Sequence, residues 1–479
     1  MKKYGMALLC GLVLLTGCAG SGRSVHPNAL SFAPLQFELP QVETFRLANG
    51  VHVFLRVDHE LPLVTVTAML DAGSVSDPQH KSGLAQLHGS VMRSAGAGEL
   101  SADEVDVALE RMAADMAVGT DRYATSIHLS VQSDDLEQGA GILADMLRRP
   151  RFDSERVELA RRRMLENIRR QNDRSSMIAR KALVSALYRN HALGDIPSLA
   201  SVAAITHEDL KTFHRRFFRP DNLWIAVSGD VDRKTLESLL SGLLDDWENA
   251  SDLPPQSVEA LPDPEPPVLL AAHKDLPQTT VLMGMRGIDK DDPDLYALRV
   301  LDFILGGGSF NSRMMQEIRT RRGLAYSVYS YFQVGRRLPG LFVAGAETKN
   351  SSVAEVVSLM RREMVKLARQ PVTDDELTLA KESLVNSFVF AFENSHEVVS
   401  QTMRLAFYGY PEDYLSRYRE RLAAVSAQDV LAAARRHLHP ESLTLVLVGD
   451  PGQLDELAGQ LELPLKPVDV TAESARRGD

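Results

Sequence analysis

Residue types that do metal or nucleophilic chemistry are sparse in this chain and poorly spaced for it. The two cysteines, Cys10 and Cys18, both lie near the N-terminus, so a folded domain has neither a thiolate metal site nor a cysteine nucleophile. His88 is followed one helical turn later by Met92, not by a second histidine, so it has no partner with which to hold a metal. It reads as a surface or partner-facing helix residue. His437 and His439 stand beside Pro440 and read as structural. The run Gly306-Gly307-Gly308 would cradle a phosphate if a strand preceded it and a Lys-Ser/Thr pair followed. It follows an apolar helix instead, and no such pair follows. A flexible loop facing a cavity is the better reading.

The chain has 479 residues, 44% hydrophobic and 24% charged, which suits a soluble protein of more than one domain. Its net charge of −11 disfavours nucleic acid as a partner. Two segments align without a gap: THEDLKTFHRRFFRPDNLWIAVSGD from Thr206 and SAQDVLAAARRHLHPESLTLVLVGD from Ser426. Each reads as a helix, a proline and an apolar strand ending in Gly-Asp. Leu61-Pro62 and Leu276-Pro277 likewise open matching strands. Two fused copies of one unit account for this. Strands are predicted over Val51–Arg56, Val64–Leu70, Thr125–Gln132, Leu324–Val334 and Leu341–Glu347. Helices are predicted over Ser82–Ala95, Ser101–Met116, Asp134–Leu147, Ser154–Arg170, Pro293–Leu305 and Met314–Arg322, the last stopped by Gly323. The fold class is α+β, as two tandem sandwich domains over 35–248 and 268–464. A proline-rich stretch, 249–267, reads as an extended linker, and 465–479 as a polar tail.

Lys2, Lys3 and the apolar run Ala7–Leu15 form a signal peptide, too short to span a bilayer. Its end, Leu15-Thr16-Gly17-Cys18, resembles the bacterial lipobox. Cleavage after residue 17 would leave Cys18 lipidated and 18–34 as a tether, with the protein anchored on the periplasmic side of a membrane. Ala19, where Asp would favour inner-membrane retention, points to the outer membrane.

The chain from about 35 to 463 resembles the pitrilysin/insulinase zinc peptidases, through its Gly83-Leu84-Ala85 helix start and the Arg-Pro-Asp-Asn…Gly-Asp ending of its first half. The resemblance implies the two-layer fold of these enzymes and of the mitochondrial processing peptidase. In active members the helix continues His-x-x-Glu-His, where two histidines bind zinc and the glutamate is the general base. Two further glutamates follow downstream. Here the five positions are Gln86, Gly89, Ser90, Ala160 and Asn167. Amide, hydroxyl and hydrogen cannot hold zinc, so no metal or other cofactor is expected. Glu166 is one residue from the ligand position, about 100° round its helix.

The family's C-terminal signature is retained in Gly306–Phe310 and in Ile318-Arg319-Thr320-Arg321-Arg322-Gly323-Leu324-Ala325-Tyr326. By resemblance, Arg319 and Tyr326 reach bound peptide, with Gly306, Gly307 and Gly308 in a substrate-facing loop. Arginine offers a fork of donors for peptide carbonyls. The tyrosine hydroxyl can donate to a tetrahedral intermediate. A turn at Gly323 can bring the two together. The pattern implies the non-catalytic subunit of a two-chain peptidase, which binds unfolded peptide and completes the site of a zinc-bearing sister. The alternative is a non-enzymatic, membrane-tethered scaffold or peptide-binding lipoprotein.

Overall fold

The computed structural model describes residues 40–249, 258–450 and 454–469, all within one compact unit. The leader, Cys18, the tether, most of the linker's first half and the end of the tail lie outside the described residues. Among those described, no helix is long and apolar enough to cross a membrane.

The first half runs β1 (Glu43–Arg46), β2 (His52–Val57), β3 (Leu63–Leu70), α1 (Leu84–Ser94), α2 (Ala102–Arg111), β4 (Asp115–Thr120), β5 (Thr125–Gln132), α3 (Leu136–Arg148), α4 (Ser154–Gln171), α5 (Ser175–Leu187), α6 (Leu199–Ala203), α7 (His207–Phe217), β6 (Leu223–Gly229) and α8 (Arg233–Leu244). The second half runs β7 (Leu269–His273), β8 (Gln278–Arg286), α9 (Leu295–Asp302), two π-helical segments (Phe303–Gly307 and Met315–Arg321), β9 (Ala325–Gln333), β10 (Leu341–Lys349), α10 (Val353–Arg369), α11 (Asp374–Ser387), α12 (Ser395–Phe407), α13 (Tyr414–Ala424), α14 (Ala427–His437), β11 (Thr444–Gly449), α15 (Leu454–Leu461) and β12 (Leu465–Pro467).

The strands form two six-stranded sheets, ordered β1-β2-β6-β3-β5-β4 and β12-β7-β11-β8-β10-β9. The repeat is visible in their pairing. β2 lies parallel to β6 as β7 lies parallel to β11, while β3 and β8 run antiparallel to those same neighbours. It also reaches the caps. Thr206 opens α7 through a capping box with Asp209, and Ser426 opens α14 through one with Asp429. The fold is α+β with two tandem units, as the sequence predicts.

The two units are not separate bodies. Each sheet buries one face under its own helices, giving two cores. A third core fills the space between the other two faces, and here helices are exchanged. α5, from the first half, lies on β8 and β11; α12, from the second half, lies on β6 and β2. Gly284 on β8 makes room for α5: a Cβ there would stand 2.8 Å from Leu183 Cδ2. Val258 and Leu261 of the proline-rich stretch also pack on this third core, so part of the expected linker is built into the fold.

Three further expectations are corrected. The helix predicted over Ser101–Met116 stops at Arg111, because Ala113 turns to φ +47° and the chain from Asp115 pairs with β5 as an edge strand. The tail predicted from 465 begins as β12, parallel to β7. The helix predicted over Met314–Arg322 is π-helical from Met315 to Arg321 before Gly323, at φ +64°, ends it.

Candidate functional site

The positions that carry zinc in the resembled enzymes lie on α1 and α4, which pack side by side under the first sheet. The start of α1 is fixed by Asp77, whose carboxylate accepts from the Gly83 N–H at 2.7 Å and the Ala85 N–H at 2.8 Å. Burial pushes Asp77 up to about 7, against the pull of these N–H donors.

Gln86 and Ser90 are exposed one turn apart, and the Ser90 hydroxyl donates to the Gln86 carbonyl at 3.0 Å. Gly89, between them, is buried. A Cβ there would lie 2.4 Å from Thr120 Oγ1, so β4 fills the space that a glutamate stem would need. Ala160 packs against the core, and Asn167 is exposed. Glu166 pairs with Arg170 at 2.8 Å and Arg169 at 3.6 Å. These residues do not fit a zinc ion: no imidazole or free carboxylate is present among them. The one cluster of three potential ligands among the described residues is Asp292, Asp294 and His437, in the second half. There Asp294 already accepts from Arg436 Nη2 at 2.5 Å and from His437 Nε2 at 2.8 Å.

His88 is not on the surface. It is fully buried beneath α1, with Nε2 3.2 Å from His214 Nδ1 and its ring among Phe152, Phe213 and Phe218. Burial holds His88 well below the usual histidine range and brings His214 down to about 3. The pair is neutral core. The helical spacing signals this, since position 88 shares a face with Leu84, Val91 and Met92.

The second half assembles a different surface. β10 pairs with β9 as Glu347↔Ser327 and then Thr348↔Ala325, which leaves Tyr326 as the extra residue of a β-bulge on an edge strand. The bulge turns Tyr326 outward, 77% exposed. Arg319, near the end of the second π-helix, lies over the Tyr326 ring at 4.6 Å and over the Phe310 ring at 4.7 Å. Phe310 is 56% exposed, and the preceding Ser309 adopts φ +51°. Glu317, on the same helix, is taken by Arg321, Arg322 and Arg362, at 3.1, 3.1 and 2.8 Å. Arg319 is thus left without an acidic partner among the described residues. The structure brings Arg319 and Tyr326 together and adds Phe310, which the sequence reading passed over. Its signal was an aromatic side chain directly after a glycine-serine turn.

The glycine run is not a flexible loop. Phe303–Gly307 is π-helical, and Gly306 is buried against β9, where a Cβ would meet Ser330 N at 2.3 Å. Only Gly307 of the three is exposed. Asp302, pushed up to about 6 by burial, accepts from the Ser330 hydroxyl at 2.7 Å and ties the π-helix to β9. The glycines therefore set how closely the π-helix that leads into Phe310 approaches the strand carrying Tyr326. π-Helical turns are rare and concentrate at functional sites, and two of them flank Phe310.

The fold is two tandem α+β units, with no metal-ligand set on α1 and α4 and with Arg319, Tyr326 and Phe310 grouped in the second half. The chain belongs to the M16 (insulinase) peptidase family: residues 52–197 match the insulinase (peptidase family M16) model, and 204–384 match the peptidase M16 inactive domain model. An uncharacterized zinc protease of Mycobacterium leprae is 30% identical over 64% of this chain and 68% of its own length. A non-peptidase homolog of Helicobacter pylori is 26% identical over 84% of this chain and 92% of its own length. The crystal structure of a peptidase M16 inactive domain from Pseudomonas fluorescens superposes with a TM-score of 0.77 at 25% identity, covering 90% of this chain and all of that one. The chain is an M16-like homologue that has lost its own zinc motif.

Proposed function

We propose that this protein is the non-catalytic subunit of a heteromeric M16 peptidase, held by a lipid on Cys18 at the periplasmic side of the outer membrane. It binds unfolded peptide and completes the active site of a zinc-bearing sister chain. The observation that carries this reading is one-sided loss. All five metal-site positions, ligands and general base alike, are substituted, while Arg319 stands between two exposed aromatic rings with no acidic partner among the described residues. A guanidinium held by its faces keeps its N–H edges for other acceptors. Peptide carbonyls are acceptors of that kind, and an extended peptide offers them at regular intervals. Tyr326 adds a hydroxyl beside them. Gly306–Gly308 shape the approach through packing.

The zinc and the water that it activates belong to the sister on this reading. The test within this chain is peptide binding. The full-length protein should bind a fluorescently labelled unfolded peptide without added metal. Arg319→Ala should weaken that binding about tenfold to a hundredfold, the worth of one or two charge-assisted hydrogen bonds. Equal binding by wild type and variant would reject the assignment of Arg319.

A further inference from the structure

A crevice of about 400 Å³ opens where the end of α5, residues 264–268, the end of β8 and β12 meet. Its volume is in the range of small-ligand sites, about 300–1,000 Å³. It lies among elements that the peptide-binding reading does not use. Its wall carries Arg189, Arg286 and Lys466 against one carboxylate, Glu265. Three cations and one acid give a formal charge of +2, in a chain whose net charge is −11.

Two of the three cations are free of partners among the described residues, and the third, Arg286, also feels the Asp263 carboxylate. Arg189 and Lys466 are exposed, and neither has an ion-pair or hydrogen-bond partner among the described residues. Arg286 is fixed in place. Its Nε donates to the Leu187 carbonyl at the end of α5 at 2.8 Å, and its Nη1 donates to the Pro262 carbonyl. Its other terminal nitrogen makes no hydrogen bond among the described residues. Ser442 and Thr444 add hydroxyls to the rim. Leu187 and Met285 supply apolar surface, and Pro264, Pro266 and Pro267 make one wall stiff, because each ring locks φ.

An arginine fork held by backbone carbonyls, two free cations and nearby hydroxyls suit a compact, multiply charged anion with an apolar body beside it. We propose that this crevice binds a phosphate ester. A phospholipid headgroup and a free phosphorylated metabolite present the same chemistry. The assignment does not depend on Arg319 or on a peptidase partner.

The experiment uses the full-length protein in a nonionic detergent. Glycerol 3-phosphate is titrated and compared with sodium chloride at matched ionic strength, reading heat and the thermal midpoint. In a second arm, vesicles of phosphatidylglycerol in phosphatidylcholine are compared with phosphatidylcholine alone, so that anchor insertion is common to both. Specific binding is expected in at least one arm. The Arg189→Glu/Lys466→Glu variant should weaken it about tenfold or more, and Glu265→Gln should strengthen it. A signal with glycerol 3-phosphate identifies a soluble ester, and a signal with phosphatidylglycerol alone identifies a headgroup. No binding in either arm, or binding unchanged by the charge-reversed pair and by Glu265→Gln, would overturn the proposal. All three substituted side chains are exposed and have no ion-pair partner among the described residues, and the two variants move the affinity in opposite directions. A folding defect therefore cannot imitate the expected pattern.

Discussion

Arg319 gets its chemistry from two neighbours, Tyr326, which the sequence pairs with it, and Phe310, which the sequence does not. Tyr326 reaches it through a bulge, and Phe310 reaches it through a turn between two π-helical segments. Tyr326→Phe keeps the ring and removes the hydroxyl, so it should preserve the Arg319 stack and cost peptide affinity less than Arg319→Ala does; titration of the labelled peptide reads the difference. The lost zinc site makes a second prediction. Gly89→Ala gains about 1 kcal/mol of helix propensity but drives a methyl into Thr120 Oγ1. Net destabilisation of about 1–2 kcal/mol is expected from overpacking. Adding Thr120→Ala should recover most of it in a double-mutant cycle read by urea denaturation. Additive effects would show that Thr120 does not fill the site. Gln86, Gly89 and Ser90 were legible in the sequence because the helix start at Gly83 sets their register, and Ala160 and Asn167 followed only by counting from them. Phe310 had only a weak signal, an aromatic after a glycine-serine turn, because its place beside Arg319 depends on the π-turns around it. His88 was misread although its own helix face marks it as core.

At the scale of elements, strand and helix order followed the sequence, and the misses have physical causes. The edge strand β4 carries a weak apolar signal that continues from α2, and only a positive φ at Ala113 separates the two. The exchange of α5 and α12 was invisible because both helices show ordinary amphipathic patterns, and no local pattern says which sheet a helix will cover. The N-terminus of α12 is seated by His396. Its Nε2 is 2.8 Å from Thr67 Oγ1 and its Nδ1 is 3.0 Å from Ser228 Oγ, with the His128 ring 5.5 Å away. Burial first, and then His128, brings His396 down to about 4 from the usual 6.5. Between those values the unfolded chain binds one proton more than the folded chain. Stability from this group is therefore complete above pH 6.5 and falls as pH drops towards 4, by about 1.4 kcal/mol per pH unit. Wild type measured against His396→Gln across pH 6.5 to 4 should show that slope. Parallel curves would remove His396 from the account. The comparison with the variant cancels Asp77 and Asp302, whose raised values act with the opposite sign.

At the scale of the whole molecule, helix exchange makes the halves one folding unit. Leu183 belongs to the first half of the chain, yet it covers the second sheet. Leu183→Ala should cost about 2–5 kcal/mol and lower a single transition for the entire chain, as seen by calorimetry; two separated transitions would contradict the exchange. The central claim is that the surface around Arg319 works for a zinc centre on another chain. The most direct test is peptide hydrolysis by a zinc-bearing M16 chain from the same organism, measured alone, with this protein, and with its Arg319→Ala variant. The account predicts no cleavage by this protein alone, cleavage by the pair well above that of the sister alone, and loss of most of that gain with the variant. A sister equally active by itself, or a pair indifferent to Arg319, would contradict it.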